Sequence, residues 1–267
     1  MNHWYGKVVL IAGGSKGLGL EIARAFGNQG ALPILLARNS SDLESAAQSL
    51  ASDDIESDYV TADATDWDSV NSAIQGLIQK HGDLNVLVNA IGKSTRADIE
   101  NLDLTEAEEL LDINYLTALR CVKSSLPSLK KTRGHIVNIG SLSSKTAWPF
   151  MTPYTASKFA LAGFTHQLRI EIEEVHSMLV CPGPIKREDA GSRYESQSEN
   201  LPEAARKPGG GAKLKGICPR KLAEQIVKGC EKRKAEIIMP WKTKILFVLS
   251  SISTRWGDWL LKKNASK

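Results

Sequence analysis

The sequence predicts an α/β protein: a single doubly wound parallel sheet of about seven strands, with helices on both faces. Three observations carry that prediction. Short apolar runs alternate with longer segments of helical period along nearly the whole chain. The first apolar run ends in a glycine-rich turn that opens a helix. The 267 residues suffice for one large domain with a sizeable core, and no repeat of solenoid period interrupts them.

In order, residues 7–12 (KVVLIA) form a short β-branched apolar run, the pattern of a strand buried on both faces. The run leads into Gly13-Gly14-Ser15-Lys16-Gly17-Leu18-Gly19, after which Leu20, Ile22, Ala23 and Phe26 mark the apolar side of a helix. A second strand at 33–37 ends at Arg38-Asn39, and a helix covers about 41–50. A strand at 58–62 ends at Asp63, followed by a helix at 67–80 and a strand at 84–88 that closes in Asn89-Ala90-Ile91-Gly92. Residues 104 to about 129 read as one long helix containing Asn114. The strand at 135–139 ends near Ser141, and the helix at 152–172 carries Tyr154. A strand at 175–180 is closed by Cys181-Pro182-Gly183-Pro184. The polar, glycine-rich stretch 191–216 reads as a mobile loop, followed by a helix at 220–232 and a strand at 236–239. Residues 1–240 therefore form one domain, with a mobile substrate loop at about 186–217, and 241–267 form a tail.

Two features point to chemistry. Glycines at a strand-to-helix turn let backbone N–H groups approach a pyrophosphate at the positive end of a helix. A dinucleotide without a 2′-phosphate usually meets an acidic residue near the end of the second strand. Arg38 stands there instead, and Lys16 lies in the glycine loop; two cations suit the extra phosphate of NADP(H). The plainer alternatives are a simple glycine turn and a solvated Arg38. The second feature is Tyr154 and Lys158, four residues apart and so on one helix face. A free phenol titrates near pH 10, but an adjacent ammonium favours the phenolate and brings proton transfer toward neutral pH. Tyr154 could then protonate a carbonyl oxygen that accepts hydride, or remove the proton in reverse.

Composition narrows the class. Apolar content of 42 % and charge of 24 % are those of an ordinary soluble protein. Cys121, Cys181, Cys218 and Cys230 form no C-x-x-C pair and have few nearby histidines, so reduced thiols in a cytoplasmic protein are expected, without disulfides or a metal site. No apolar leader precedes the first strand, so secretion is not expected. Charge is unevenly distributed: residues 206–267 carry 16 Lys/Arg against 4 Asp/Glu, making that quarter +12 in a chain of net +4. No nucleic-acid reader motif accompanies it, so a nucleic-acid partner is not expected.

Over nearly its whole length the chain resembles the short-chain dehydrogenase/reductase family. The resemblance rests on the glycine loop, Asp63, Asn89-Ala90-Ile91-Gly92, Asn114, Ser141, Tyr154-x-x-x-Lys158 and Pro182-Gly183, in family order and with the family's Ser–Tyr separation. It implies a Rossmann-type fold and an NADP(H)-dependent interconversion of a carbonyl and an alcohol. Tyr154 would be the general acid/base. Lys158 would lower its pKa and hydrogen-bond the nicotinamide ribose. Ser141 would polarise the substrate carbonyl, and Asn114 would hold a water linking Lys158 to solvent. Gly13, Ser15, Lys16, Gly17, Leu18 and Gly19 would hold the adenosine half and pyrophosphate. Asp63, with Ala64 beside it, would meet the adenine amino group, Asn89 would lie under the adenosine ribose, and Pro182, Gly183 and Ile185 would line the nicotinamide. The chain departs from the family pattern at Ala12, at Ala90 and Ile91, and at Arg187, where threonine, asparagine, alanine and threonine are usual, and its link from Ile172 to the strand before Pro182 looks about two residues short against that pattern.

Substrate class is less legible. Asp112-Ile113-Asn114-Tyr115-Leu116, Ala37-Arg38-Asn39 and Gly191-Ser192-Arg193-Tyr194 resemble the lipid-handling branch, near 11β-hydroxysteroid dehydrogenases and ketosphinganine reductases, which implies a fairly apolar substrate. A 3-oxoacyl thioester reductase is the alternative, with Arg187, Arg206, Lys207, Lys213 and Lys215 meeting phosphopantetheine or an acidic carrier. A non-catalytic NADP(H)-binding sensor is the alternative of another class. In the tail, Ile245, Leu249, Ile252, Trp256 and Leu260 recur at helical spacing, with Trp259 beside them and Lys242, Lys244, Arg255, Lys262 and Lys263 flanking. That pattern suits either peripheral membrane contact through 241–263 or packing on a neighbouring subunit or the cleft, in a homodimer or homotetramer.

Overall fold

A computed structural model of the chain describes residues 2–187, 201, 214–253 and 255–259, without the side chains of Leu246, Ser250, Ser251 and Ile252. Seven strands, β1 (Val8–Ala12), β2 (Leu32–Ala37), β3 (Asp58–Thr61), β4 (Val86–Asn89), β5 (His135–Ile139), β6 (His176–Pro182) and β7 (Glu236–Met239), form one sheet in the order β3-β2-β1-β4-β5-β6-β7. Every pairing is parallel. The order reverses between β1 and β4, so the connections leaving them part and open a crevice at the carboxyl ends of the strands.

Burial on both sheet faces explains the unbroken apolar strands. In β1, Val9 and Ile11 join one core with Phe26, Leu43, Leu50, Leu222 and Ile226. Val8, Leu10 and Ala12 join the opposite core with Val70, Ile74, Leu77, Cys121 and Leu168. The first core lies under α1 (Gly17–Gly27), α2 (Ser40–Ala51) and α7 (Pro219–Glu231); the second lies under α3 (Trp67–His81), α5 (Thr117–Thr132) and α6 (Thr152–Glu171). Side chains start several helices: Asn39 caps α2, Asp66 caps α3, and Asp103 caps α4 (Leu104–Leu111) by accepting backbone N–H bonds.

Two expectations are corrected. The helix expected over 104–129 is α4, then a π-helical turn at Asp112–Leu116, then α5, which runs on to Thr132. The widened turn buries Asn114 at its centre, and such turns are frequent at functional sites. The link after α6 closes as a turn in which Val175 N–H donates to Ile172 O, 3.3 Å. The tail is not one helix. α8 (Thr243–Ile252) stops where Ser253 becomes extended, and a second helical piece covers 255–259. Most of the expected 191–216 loop, with Ser192, Arg193, Tyr194, Arg206, Lys207 and Lys213, lies outside the described residues, as do Leu260, Lys262 and Lys263. The near ends of that stretch are pinned: Lys186 N–H donates to Ile217 O and Ile217 N–H to Pro184 O, both 2.8 Å.

Candidate active site

A cleft of about 240 Å³ opens at the carboxyl edge, lined by the ends of β4, β5 and β6 and the first turns of α6. Ser141, Tyr154, Lys158, Pro182, Gly183 and Ile185 all line it. Lys158 is 4 % exposed, its Nζ donates to Ile139 O at 3.0 Å, and it stands 5.9 Å from the Tyr154 ring centroid. Burial in this apolar wall pushes its ammonium down to about 8, leaving it mostly charged at neutral pH. Ser141 begins a 3₁₀ turn at Leu142–Ser144, and its hydroxyl oxygen accepts the Ser143 N–H at 3.1 Å. An oxygen used as acceptor leaves its own O–H proton available to donate.

Asn114 does not face the cleft but ties its wall together. Its Nδ2 donates to Lys93 O and Ser157 Oγ, both 2.9 Å, and its Oδ1 accepts the Lys93 N–H at 2.9 Å. The loop after β4 is thereby fastened to the helix that carries Tyr154. Gly92 makes this possible: a Cβ there would lie 3.1 Å from Asn114 Oδ1 and 3.4 Å from Lys158 Nζ. A second fastening, Ala97 N–H to Phe150 O at 3.1 Å, holds the same loop against the start of α6.

On the other side of the crevice the glycine loop is as tight as its sequence demands. Gly13 has φ +84°, and a Cβ there would meet Ile91 N at 2.8 Å; a Cβ on Gly19 would lie 2.0 Å from Gly13 O. Lys16 occupies the N-cap of α1 without a side-chain cap, so neighbouring helix N–H groups remain for a ligand. Asp63 Oδ1 accepts from Thr65 N (2.9 Å) and Thr65 Oγ1 (2.7 Å), which holds its carboxyl below the usual range and keeps it an acceptor. A bare glycine cradle, an uncapped helix start and an ionised acceptor at the next strand end fit a dinucleotide.

Residues 7–198 match the short chain dehydrogenase family. The chain belongs to that family. As a short-chain dehydrogenase it is an oxidoreductase, on a fold that binds NAD(P)(H). It is 29 % identical over 281 residues to a Drosophila melanogaster dehydrogenase/reductase SDR family protein 7-like, covering the whole chain and 82 % of that relative. Against an Arabidopsis thaliana 11-beta-hydroxysteroid dehydrogenase 1A it is 35 % identical over 205 residues, 74 % of this chain and 57 % of that one. Among solved structures, an alcohol dehydrogenase from Thermococcus sibiricus complexed with 5-hydroxy-NADP superposes with a TM-score of 0.73. An actinorhodin polyketide ketoreductase variant with NADPH superposes at 0.78. Each is 25 % identical, covering 87 % of this chain and 95 % of its own.

Within this short-chain dehydrogenase, two of the expected cofactor residues already have protein partners. Asn89 is 5 % exposed, its Nδ2 donating to Asn138 Oδ1 at 2.7 Å, while Asn138 in turn donates to Thr165 Oγ1 on α6. That amide bond braces the ends of β4 and β5. Lys16 pairs with Asp42 at 2.8 Å, so one of the two expected phosphate cations already has a carboxylate beside it. Five cleft residues, Lys93, Ser94, Arg96, Trp148 and Met151, carried no motif signal. Arg96 is 3 % exposed and donates to Thr95 O at 2.9 Å and Ser94 Oγ at 3.2 Å. A usable signal existed: each follows a strand end or directly precedes Tyr154, where loops at a carboxyl edge gather.

Proposed function

We propose that this short-chain dehydrogenase interconverts a carbonyl and a secondary alcohol on a fairly apolar substrate, with NADP(H) as cofactor. The observation that carries the reading is the meeting of Ser141, Tyr154 and Lys158 on one cleft wall beside Pro182, Gly183 and Ile185. The cofactor, when bound, supplies or accepts the hydride. Gly13, Ser15, Gly17, Leu18 and Gly19 would receive its pyrophosphate, Asp63 and Ala64 its adenine, and Arg38 with Lys16 the 2′-phosphate.

In reduction, Tyr154 donates its phenolic proton to the substrate oxygen. The Lys158 ammonium lowers the cost of the phenolate left behind, since a nearby positive charge favours the charged form. Ser141 donates its hydroxyl proton to the same oxygen and so stabilises the charge that develops there. Asn114 Oδ1 and Lys158 Nζ both lie beside the bare Gly92, which supports Asn114 as the holder of a water that resupplies the proton. Leu142, Trp148, Met151 and Leu214 offer an apolar bed for the substrate. Arg96 and Arg187 in the same cleft favour a second reading, a 3-oxoacyl thioester whose handle is anionic. Self-association as a dimer or tetramer accompanies the proposal, supported by exposed Leu104, Phe159 and Ile170 on α4 and α6.

The test is a panel of keto-lipids, acyl thioesters and small polar ketones, followed by NADPH consumption. Faster turnover of keto-lipids supports the first reading, and faster turnover of thioesters the second. NADPH binding without turnover of any substrate would leave a cofactor sensor.

A further inference from the structure

We propose that residues 241–253 and 255–259 form a docking surface for an anionic lipid membrane, in a segment that leaves the body at the rim of the cleft. The starting point is which side of α8 faces the protein. Phe247 is 8 % exposed and packs inward, whereas Ile245, Val248 and Leu249 are 56 %, 54 % and 44 % exposed. At about 100° per residue, positions 241, 245, 248 and 249 share one side of a helical path, and 247 lies opposite. A helix that only covers a core does the reverse and buries that stripe. Trp241 continues the apolar side at 67 % exposure, and beyond the break Trp256 and Trp259 are 70 % and 58 % exposed. Scattered apolar side chains are normal on a surface; six large ones within 19 residues of sequence mark an interaction site.

The chemistry of the segment selects the partner. Indole rings combine an apolar body with a polar N–H and favour the boundary between water and hydrocarbon. Lys242, Lys244 and Arg255 accompany the apolar side chains against one acidic residue, Asp258. In a two-fold interface between copies the same patch meets itself, so a segment of net charge +2 (Lys242, Lys244 and Arg255 against Asp258) would face another of the same sign. An anionic lipid surface attracts such a segment instead. The 10 residues of α8 span about 15 Å, half a hydrocarbon core, and among the described residues no helix is long and apolar enough to cross a membrane. α8 therefore lies in the plane of the interface, its apolar side at the headgroup boundary.

Its place in the fold ties the surface to the cleft. β7 ends at Met239, whose carbonyl accepts the N–H of Gly183, a cleft residue, at 2.7 Å. The segment thus leaves the body from the rim of the cleft, at the carboxyl edge of the sheet. Passage of an apolar substrate from lipid to cleft rests on the proposed function; docking itself does not.

The test mixes the full-length chain with vesicles of phosphatidylcholine alone or with about one-third phosphatidylserine. The expected result is sedimentation with the anionic vesicles, a blue shift of tryptophan emission, and release as salt is raised toward about 1 M. The triple variant Trp241→Glu, Ile245→Glu, Val248→Glu should lose about tenfold or more of the binding while keeping its melting temperature and its rate on a water-soluble ketone. Lys242→Glu with Lys244→Glu, which leaves the apolar side chains in place, should lose the preference for anionic vesicles. Wild-type protein that stays in the supernatant with both vesicles overturns the proposal. So does a triple variant that binds as well as wild type, or one whose only change is a smaller oligomer, which would make a second copy the occupant. Absence of turnover on every ketone would sink the enzymatic reading and leave the vesicle result standing.

Discussion

The two edges of the sheet bury basic side chains to opposite ends. At the carboxyl edge, Lys158 is enclosed in the wall of the cleft, and burial brings its ammonium down to about 8. At the amino edge, His135 and His176 are enclosed beneath Trp4, with His135 Nδ1 and His176 Nδ1 2.9 Å apart and His176 Nε2 2.8 Å from Lys234 O. The Lys234 carbonyl only accepts, so His176 donates from Nε2 and receives the His135 Nδ1 proton on its own Nδ1. Trp4, fully buried, caps the pair and donates its indole N–H to Glu231 at 3.0 Å. Burial pushes His135 down to about 3 and lowers His176. The same desolvation leaves a cation at one edge and a neutral pair at the other, because a lysine begins near 10.4 and a histidine near 6.5.

The sharpest way to break this contrast is at the proton donor. Tyr154→Phe keeps the ring and removes the hydroxyl, so turnover should fall by about 10²–10⁴-fold with NADPH affinity unchanged. A variant near the wild-type rate would remove Tyr154 from the chemistry. Gly92→Ala probes the space Lys158 needs. Its methyl would crowd Asn114 Oδ1 and come into contact with Lys158 Nζ, and kcat should fall by about 10–100-fold while NADPH still binds. Unchanged kcat would mean that the gap has no catalytic part. Arg38→Asp addresses the cofactor side. Losing one charge-assisted phosphate contact of about 1.5–3 kcal/mol should weaken NADPH by more than about tenfold and favour NADH. Equal NADH and NADPH affinity in the unaltered protein would refute that assignment.

The smallest effect belongs to the amino edge. Both histidines titrate lower in the fold than in the unfolded chain, so the unfolded state binds more protons below about pH 6.5. Their contribution to stability is complete above that pH and is lost as pH falls, at most by about 1.4 kcal/mol per pH unit for His135. Melting temperatures between pH 7 and pH 5 should drop more steeply for the wild type than for His135→Gln. Parallel profiles would show that the pair does not titrate on unfolding.

Much of the site was legible because its residues sit next to signals that are local. Glycines at a strand-to-helix turn and a tyrosine and lysine one helical turn apart are set by neighbours in the chain, and the structure places them as that spacing requires. Asn114 and Ser141 were legible only through family resemblance, because an amide within a helix and a hydroxyl at a strand end have no signature of their own. The Asn89–Asn138 contact was not legible for a related reason: the two lie 49 positions apart, and only strand register brings their amides together.

By itself, then, the sequence determined the alternation of strands and helices, the family, the glycine cradle and the pairing of Tyr154 with Lys158. All of these depend on period and short separation, which a linear chain carries. Tertiary structure alone decided that the helix around Asn114 would widen by a π turn, that Arg96 would be buried in the cleft, and that His135 would face His176. It also decided that α8 would present Trp241 and Ile245 outward with Phe247 packed inward. The stripe on α8 was plain in the sequence, but its direction was not. An amphipathic period states that one side of a helix must leave water, whereas only the packing of the rest of the chain shows whether protein is there to receive it.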